Sequence, residues 1–191
     1  MKDVLIIGAG PAGLLAAYTA AKNGLSVAVV EMKRDITNIN RACSAQFVLD
    51  EGYEGETLKI ENGKMIFTKN GFEVPYKGKI IPIIHNYMYS PKGHRVAFEY
   101  DDLRPTAVKC DKAELLKGLV EQCENAGVEI ITNTMALGGR DNGNFVTAEL
   151  RGTNGKYETE AKKLIIAEGV NRRLTKIFGL NEGHQIGRAH V

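Results

Sequence analysis

Three glycines and one acid carry the recognisable chemistry of this sequence. Gly8-Ala9-Gly10-Pro11-Ala12-Gly13 follows a short apolar run directly, and Glu31 ends the next such run. Gly8 permits a tight turn, Gly10 lets a pyrophosphate approach the backbone with no Cβ in the way, and Gly13 lets a helix pack close to a sheet. The free amides of the turn and the positive end of the helix dipole then stabilise an anion without a lysine or arginine in the loop. A carboxylate at Glu31 accepts hydrogen bonds from the 2′- and 3′-hydroxyls of an adenosine ribose and repels a 2′-phosphate. The pattern therefore suits the ADP moiety shared by FAD and NAD, and NADP does not fit it. Ala17, Ala21 and Gly24 continue the spacing after Gly13.

These residues need a strand, a helix and a second strand to position them, and the chain supplies all three. Residues 4–7 are continuously apolar, as in a strand buried on both faces. Residues 11–23 carry helical periodicity through Leu14, Leu15, Tyr18 and Ala21, with Pro11 in the first turn and Gly24 at the left-handed stop. Residues 26–30 form the next apolar run, which makes the two strands parallel neighbours in a βαβ unit. Residues 32–52 lack periodicity and read as a loop with a short helix. Between residues 56 and 98, short β-rich runs alternate with Asn62-Gly63, Asn70-Gly71, Lys77-Gly78 and Lys92-Gly93, the signature of an inserted antiparallel meander. Asp111 and Glu114 form a capping-box pattern ahead of a helix whose buried face is Ala113, Leu115, Leu116, Leu119, Val120 and Cys123. A strand at 128–132, a hairpin from 145–150 and 157–163 about Thr153-Asn154-Gly155, a separate buried strand at 164–167 and a short basic helix with Arg172, Arg173 and Lys176 follow. The fold class is α/β: a Rossmann-like FAD/NAD(P)-binding domain with a parallel central sheet and an inserted meander.

The 191 residues suffice for one α/β domain, and a net charge of +2 with 25% charged residues implies no nucleic-acid partner. The apolar N-terminal stretch is too short for a signal peptide and is broken by glycines, so a cytoplasmic protein is expected. Cys43, Cys110 and Cys123 form no CxxC pair, which argues against a disulfide framework and against a metal site. Residues 185–191 match the read-through of a common sequencing-adapter oligonucleotide; they are treated as a non-native tail, leaving residues 1–184 as the domain, its β-rich insertion at about 55–100. On that reading the natural protein continues past about Gly183.

The order of glycine fingerprint, Glu31, Arg41-Ala42-Cys43-Ser44, the meander with Tyr89-Ser90-Pro91-Lys92-Gly93, the Asp111-Lys112 helix and Glu168-Gly169 resembles the geranylgeranyl reductase family. These are FAD-dependent oxidoreductases of the hydroxylase-type, glutathione-reductase-like flavoprotein superfamily. The resemblance implies FAD as cofactor, with Gly8, Gly10, Ala12, Gly13 and Glu31 on its pyrophosphate and ribose. It puts Arg41, Cys43 and Ser44 along the pyrophosphate and ribityl chain, Lys112 where the family usually has arginine, and the Ala136 backbone near the adenine. Lysine in place of arginine loses planar bidentate donation, and Glu168-Gly169 stands where the superfamily generally has Asp-Gly.

The implied activity is reduction of carbon–carbon double bonds in an isoprenoid or similar apolar substrate, with electrons from a donor such as NAD(P)H or ferredoxin. The implied substrate is a small molecule or prenyl lipid, which leaves peripheral membrane contact open. The resemblance further implies that a later segment completes the flavin site, so that these residues alone hold FAD weakly and are inactive. A flavin-dependent monooxygenase or halogenase, and a flavin-free prenyl-binding protein on the same fold, are the rival readings. No catalytic side chain is identified. Cys43 reads more readily as a small buried thiol than as a reactive one, because no base adjoins it in sequence. Arg41 and Lys112 suit solvated cations as well as phosphate contacts, and His85 and His94 have no evident carboxylate partner.

Overall fold

The computed structural model describes residues 1–39, 43–49 and 56–180. Arg41 and the 185–191 tail lie outside the described residues. In chain order the elements are β1 (Lys2–Ile7), α1 (Pro11–Lys22), β2 (Val27–Val30), β3 (Gln46–Val48), β4 (Leu58–Glu61), β5 (Lys64–Phe67) and β6 (Phe72–Pro75). There follow β7 (Ile80–Ile83), β8 (Asn86–Tyr89), β9 (Arg95–Phe98), β10 (Ala107–Cys110), α2 (Lys112–Asn125), β11 (Glu129–Ile131), β12 (Met135–Asp141), β13 (Val146–Gly152), β14 (Gly155–Ile166), a 3-10 turn (Gly169–Asn171) and α3 (Arg173–Ile177). The chain divides into two compact units, one of residues 1–36 and 123–191, the other of residues 37–122.

The first unit is built on a six-stranded sheet in the order β11-β2-β1-β14-β13-β12. β1 pairs in parallel with β2 on one side and with β14 on the other, and β2 pairs in parallel with β11. The run from Val27 to Val30 is wholly buried, as a strand with both faces covered must be. Leu5, Ile7, Ala28 and Val30 on one face pack with Ala136, Ala148, Leu150 and Leu174, with Phe178 against them. α1 ends as expected: the Leu25 amide donates to Ala20 O and the Gly24 amide to Ala21 O, with Gly24 at φ +84°, a Schellman stop.

Two strands in this unit differ from expectation. The 157–163 and 164–167 strands are one element, β14, which pairs antiparallel with β13 and then parallel with β1, Ala161 facing both neighbours. Lys162 and Lys163 look like a break in sequence, but Lys162 Nζ reaches Asp3 Oδ1 at 2.6 Å on the sheet surface and does not end the strand. Leu164 to Ala167 is half-buried or exposed, not buried. β12 has no counterpart in the sequence reading; it pairs antiparallel with β13 and carries a bulge between Ala136 and Gly138.

In the second unit β4, β5 and β6 form the expected antiparallel meander, with Asn62 and Gly63 both left-handed at its first turn. Among the described residues β8 and β9 pair only with each other, and β10 gathers β3 and β7 into a third sheet. No helix appears among the described residues of the 32–52 stretch, and β3 forms there instead. Asp111 Oδ1 caps α2 by accepting from the Ala113 and Glu114 amides at 2.9 and 3.2 Å. The return half of the capping box is replaced: the Asp111 amide donates to the hydroxyl of buried Tyr76 at 2.7 Å, and that hydroxyl donates to Lys79 O. Gly78 is required beneath it, since a Cβ there would lie 2.5 Å from the Tyr76 oxygen.

Candidate functional site

The glycine loop leaves β1 at the carboxyl end of the parallel strands, where the chain passes to β2 on one side and returns as β14 on the other. That reversal of order is where open α/β sheets form a ligand crevice. The Gly8 amide donates to Val30 O at 2.8 Å, and the Ala167 amide donates to Ile7 O at 2.8 Å, so the loop is tied to both neighbours.

Each fingerprint glycine meets a different physical demand. Gly8 lies at φ +106°, and a Cβ there would sit 2.4 Å from Ala167 O. Gly13 is buried, and its Cβ would fall 1.9 Å from Gly8 O, so the helix could not keep its approach to the loop with any larger residue. Gly10 is the opposite case: a Cβ there would meet nothing within 4 Å, and its φ of −75° suits any residue. Nothing in the fold explains glycine at this position, whereas close approach of a ligand would. Gly10 also caps α1 without a side-chain bond, so no side chain satisfies the first-turn amides, and Pro11 and Ala12 are exposed.

Glu31 is 8% exposed, and its carboxylate is aimed at the loop. Oε2 accepts from the Ala9 amide at 2.8 Å and Oε1 from the Lys33 amide at 2.9 Å. Two backbone donors hold a buried anion and fix its orientation, leaving further lone pairs for hydroxyl donors. The backbone about Glu31 is clamped in turn, its amide donating to Ile131 O and its carbonyl accepting from the Thr134 amide. Ala136 begins two residues later as a buried member of the sheet core. The structure thus brings Gly8, Gly10, Ala12, Gly13 and Glu31 together about one helix mouth, with Ala136 in the same unit.

Cys43, Ser44 and Lys112 belong to the second unit. Cys43 is exposed, not buried as the sequence suggested. Its Sγ accepts from the Ala45 amide at 3.4 Å and from Lys112 Nζ at 3.6 Å. The Ala45 amide first, and the Lys112 ammonium after it, draw the thiol below its ordinary range. Burial pushes the other two thiols up, Cys123 to about 11. Cys123 is fully buried and donates to Leu14 O at 3.2 Å. The Cys43–Lys112 contact was invisible in sequence, its members standing 69 residues apart. His85, read as lacking a carboxylate, has one: Nδ1 lies 2.6 Å from Glu99 Oε2. Glu168 Oε1 accepts from both the amide and the hydroxyl of Thr175 at 3.1 Å, a bond that holds α3.

A glycine-lined helix mouth, an oriented carboxylate and a parallel sheet define a dinucleotide-binding domain. The match with known families makes this specific: over residues 2–190 the chain belongs to the pyridine nucleotide-disulphide oxidoreductase family, and its dinucleotide is FAD. It is 29% identical over 181 residues to a digeranylgeranylglycerophospholipid reductase of Methanosarcina acetivorans, covering 94% of this chain and 40% of that protein. A protein of Methanosarcina barkeri known only by its place in the nifH2 5′ region is 29% identical over 185 residues, covering 93% of this chain and 88% of that one. The solved structure of a geranylgeranyl bacteriochlorophyll reductase-like protein from Thermoplasma acidophilum superposes with a TM-score of 0.72 at 20% identity, over 97% of this chain and 43% of that one. The chain thus spans about two fifths of the reductase relative named first. The resemblance to the geranylgeranyl reductases stands on these matches. No helix among the described residues is long and apolar enough to cross a membrane.

Proposed function

We propose that the first unit binds the ADP half of FAD at the mouth of α1, and that the protein of which it is part reduces carbon–carbon double bonds of an isoprenoid or comparably apolar substrate. The observation that carries the binding assignment is Gly10: open space where a Cβ would stand, beside amides with no helical partner. The pyrophosphate lies against Gly10, Ala12 and Gly13, with Gly8 shaping the turn. Glu31 accepts from the ribose hydroxyls while its bonds to Ala9 and Lys33 keep it from turning away. Ala136, in the same unit, lies towards the adenine. When bound, the flavin supplies hydride chemistry, and the protein supplies orientation and a dry, shaped pocket.

The reductase relative, named for a digeranylgeranylglycerophospholipid, supports an isoprenoid lipid as substrate class, and we take NAD(P)H or ferredoxin as electron source. The test is an absorption spectrum of the full-length protein with and without candidate donors and prenyl lipids. Bleaching of the flavin by a donor, and its return on adding an unsaturated prenyl lipid without oxygen, is the expected result. Product formation only with stoichiometric oxygen uptake would replace this reading with a monooxygenase. A colourless protein that still binds prenyl lipid would replace it with a flavin-free carrier.

A further inference from the structure

We propose that Cys43 and Cys110 form a redox pair, in which a hydroperoxide oxidises Cys43 and Cys110 closes a disulfide onto it. Both belong to the second unit, and the backbone brings them together. β3 and β10 are antiparallel with Lys109 opposite Gln46, and the ladder runs one step further, the Cys110 amide donating to Ala45 O at 2.8 Å. Cys43 stands two residues before Ala45, which puts it diagonal to Cys110 on the same side of the strand. Its thiol folds back over that rung, where Sγ accepts from the Ala45 amide at 3.4 Å. From the other side Lys112, two residues beyond Cys110, reaches the same sulfur with Nζ at 3.6 Å. Diagonal strand neighbours stand about 7–8 Å apart and disulfides span up to about 6.8 Å between Cα atoms, so closure asks for a shift of about 1 Å. Ala45 can supply it. It is held left-handed at φ +51°, where alanine is disfavoured, and a return to extended backbone would lay residues 43–44 alongside β10 and relieve that strain.

The two thiols are unequal, as an attacking and a resolving thiol must be. Cys43 is drawn towards thiolate by the Ala45 amide and then by the Lys112 ammonium, and thiolate is the form that attacks a peroxide. Cys110 is buried, and burial first, then Asp111, and in lesser part the charge of Cys43 itself, push its thiol up. Cys110 therefore stays protonated and out of direct reaction with the oxidant. In the first step the Cys43 sulfur attacks one peroxide oxygen and the O–O bond breaks, giving a sulfenic acid, while the departing oxygen leaves with the electron pair and takes up a proton. In the second, the Cys110 sulfur attacks the Cys43 sulfur, the S–O bond breaks, and the leaving hydroxide takes the Cys110 proton as water. The two sulfurs together lose two electrons, and the peroxide gains them. Such a bond is transient in a reducing compartment, which suits a switch and not a staple. It ties the start of β3 to the end of β10 around the whole of β4 to β9, and it takes the thiolate from Lys112.

The inference stands apart from the flavin reading and is tested on the full-length protein. After treatment with stoichiometric hydrogen peroxide, non-reducing peptide mass spectrometry should find a peptide pair joined through Cys43 and Cys110, lost again on adding dithiothreitol. Cys110→Ala should remove that pair and leave Cys43 as a sulfenic acid that dimedone captures, and Cys43→Ser should leave Cys110 unoxidised. Lys112→Met should slow formation of the pair. The oxidised wild type should melt several degrees above the reduced form, because a bond across so long a loop confines the unfolded chain. The wild-type measurement needs no variant to fold. A Cys43 sulfenic acid that persists in the wild type with Cys110 still a thiol overturns the inference, as does a Cys43 linked to Cys123 or to a second chain.

Discussion

The substitution Gly10→Ala should separate ligand binding from folding. A methyl group at Gly10 meets no atom within 4 Å, and the backbone at φ −75° and ψ 176° accepts alanine without strain. Lower entropy of the unfolded chain favours the variant by about 0.4–1 kcal/mol, while alanine is a poorer N-cap than glycine by a similar amount. The two cancel to within about 0.5 kcal/mol, or about 2 °C in a chain of this size. The same methyl occupies the space assigned to a phosphate and displaces it from at least one charge-assisted hydrogen bond. Such a bond is worth about 1.5–3 kcal/mol, which converts to roughly a 10- to 150-fold loss of FAD affinity. Gly13→Ala is the control for folding, because its Cβ would stand 1.9 Å from the Gly8 carbonyl oxygen and the helix must move. Overpacking of that kind costs about 1–3 kcal/mol, a drop of roughly 2–12 °C. Thermal melts of the free chains and anisotropy titrations of trace FAD read both effects, even where wild-type affinity is low. If Gly10→Ala binds FAD as the wild type does, the pyrophosphate is not against that loop and the argument fails.

Glu31→Ala removes the acceptor of two backbone amides, one of them buried, and should cost about 1–3 kcal/mol in stability together with most FAD affinity; melts and titration check both. Glu31→Arg, which retains bulk but reverses charge beside the Ala9 amide, should abolish flavin binding in the full-length protein, and undiminished flavin occupancy there would remove the ribose assignment. At pH 8 a water-soluble thiol reagent should modify Cys43 rapidly while Cys110 and Cys123 stay unmodified until the chain unfolds, because the first thiol is drawn below its ordinary range and Cys123 is held at about 11; mass spectrometry of the labelled protein tests this, and Lys112→Met should slow it. Tyr76→Phe deprives the Asp111 amide of its acceptor and Lys79 O of its donor, and a loss of about 1–3 kcal/mol in denaturant unfolding is expected.

How much of this fold could be read from sequence depended on how local the cause was. The first strand, α1 with its Pro11 start and Gly24 stop, the Asn62-Gly63 turn and the Asp111 cap each rest on residues within a few positions of one another, and each appears where it was expected. β12 did not announce itself because Gly138 and Gly139 weaken any strand signal. Its reason is tertiary: a Cβ at Gly139 would stand 2.6 Å from Thr147 O and 2.9 Å from the Phe178 ring, so neighbours from β13 and the segment after α3 dictate the residue. The sheet of β3, β10 and β7 was hidden likewise, since Gln46–Val48 is too short to signal a strand and pairs with a partner some sixty residues on.

The site divides along the same line. What binds through the backbone has to be written locally, since only glycine at fixed intervals opens a turn and admits a phosphate; hence Gly8, Gly10 and Gly13 could be assigned before their surroundings were known. What binds through a side chain depends on where distant segments bring it, and so Cys43 was misjudged until Ala45 and Lys112 stood beside it. Glu31 belongs to both kinds. Its position at the end of β2 follows from the periodicity of the βαβ unit, but its orientation is set by Ala9 of the loop it serves. The amide that fixes the acid comes from between two of the fingerprint glycines, so loop and acid form one rigid group. A change in either should therefore disturb both phosphate and ribose, and binding losses at Gly10 and Glu31 should combine to less than their sum when made together.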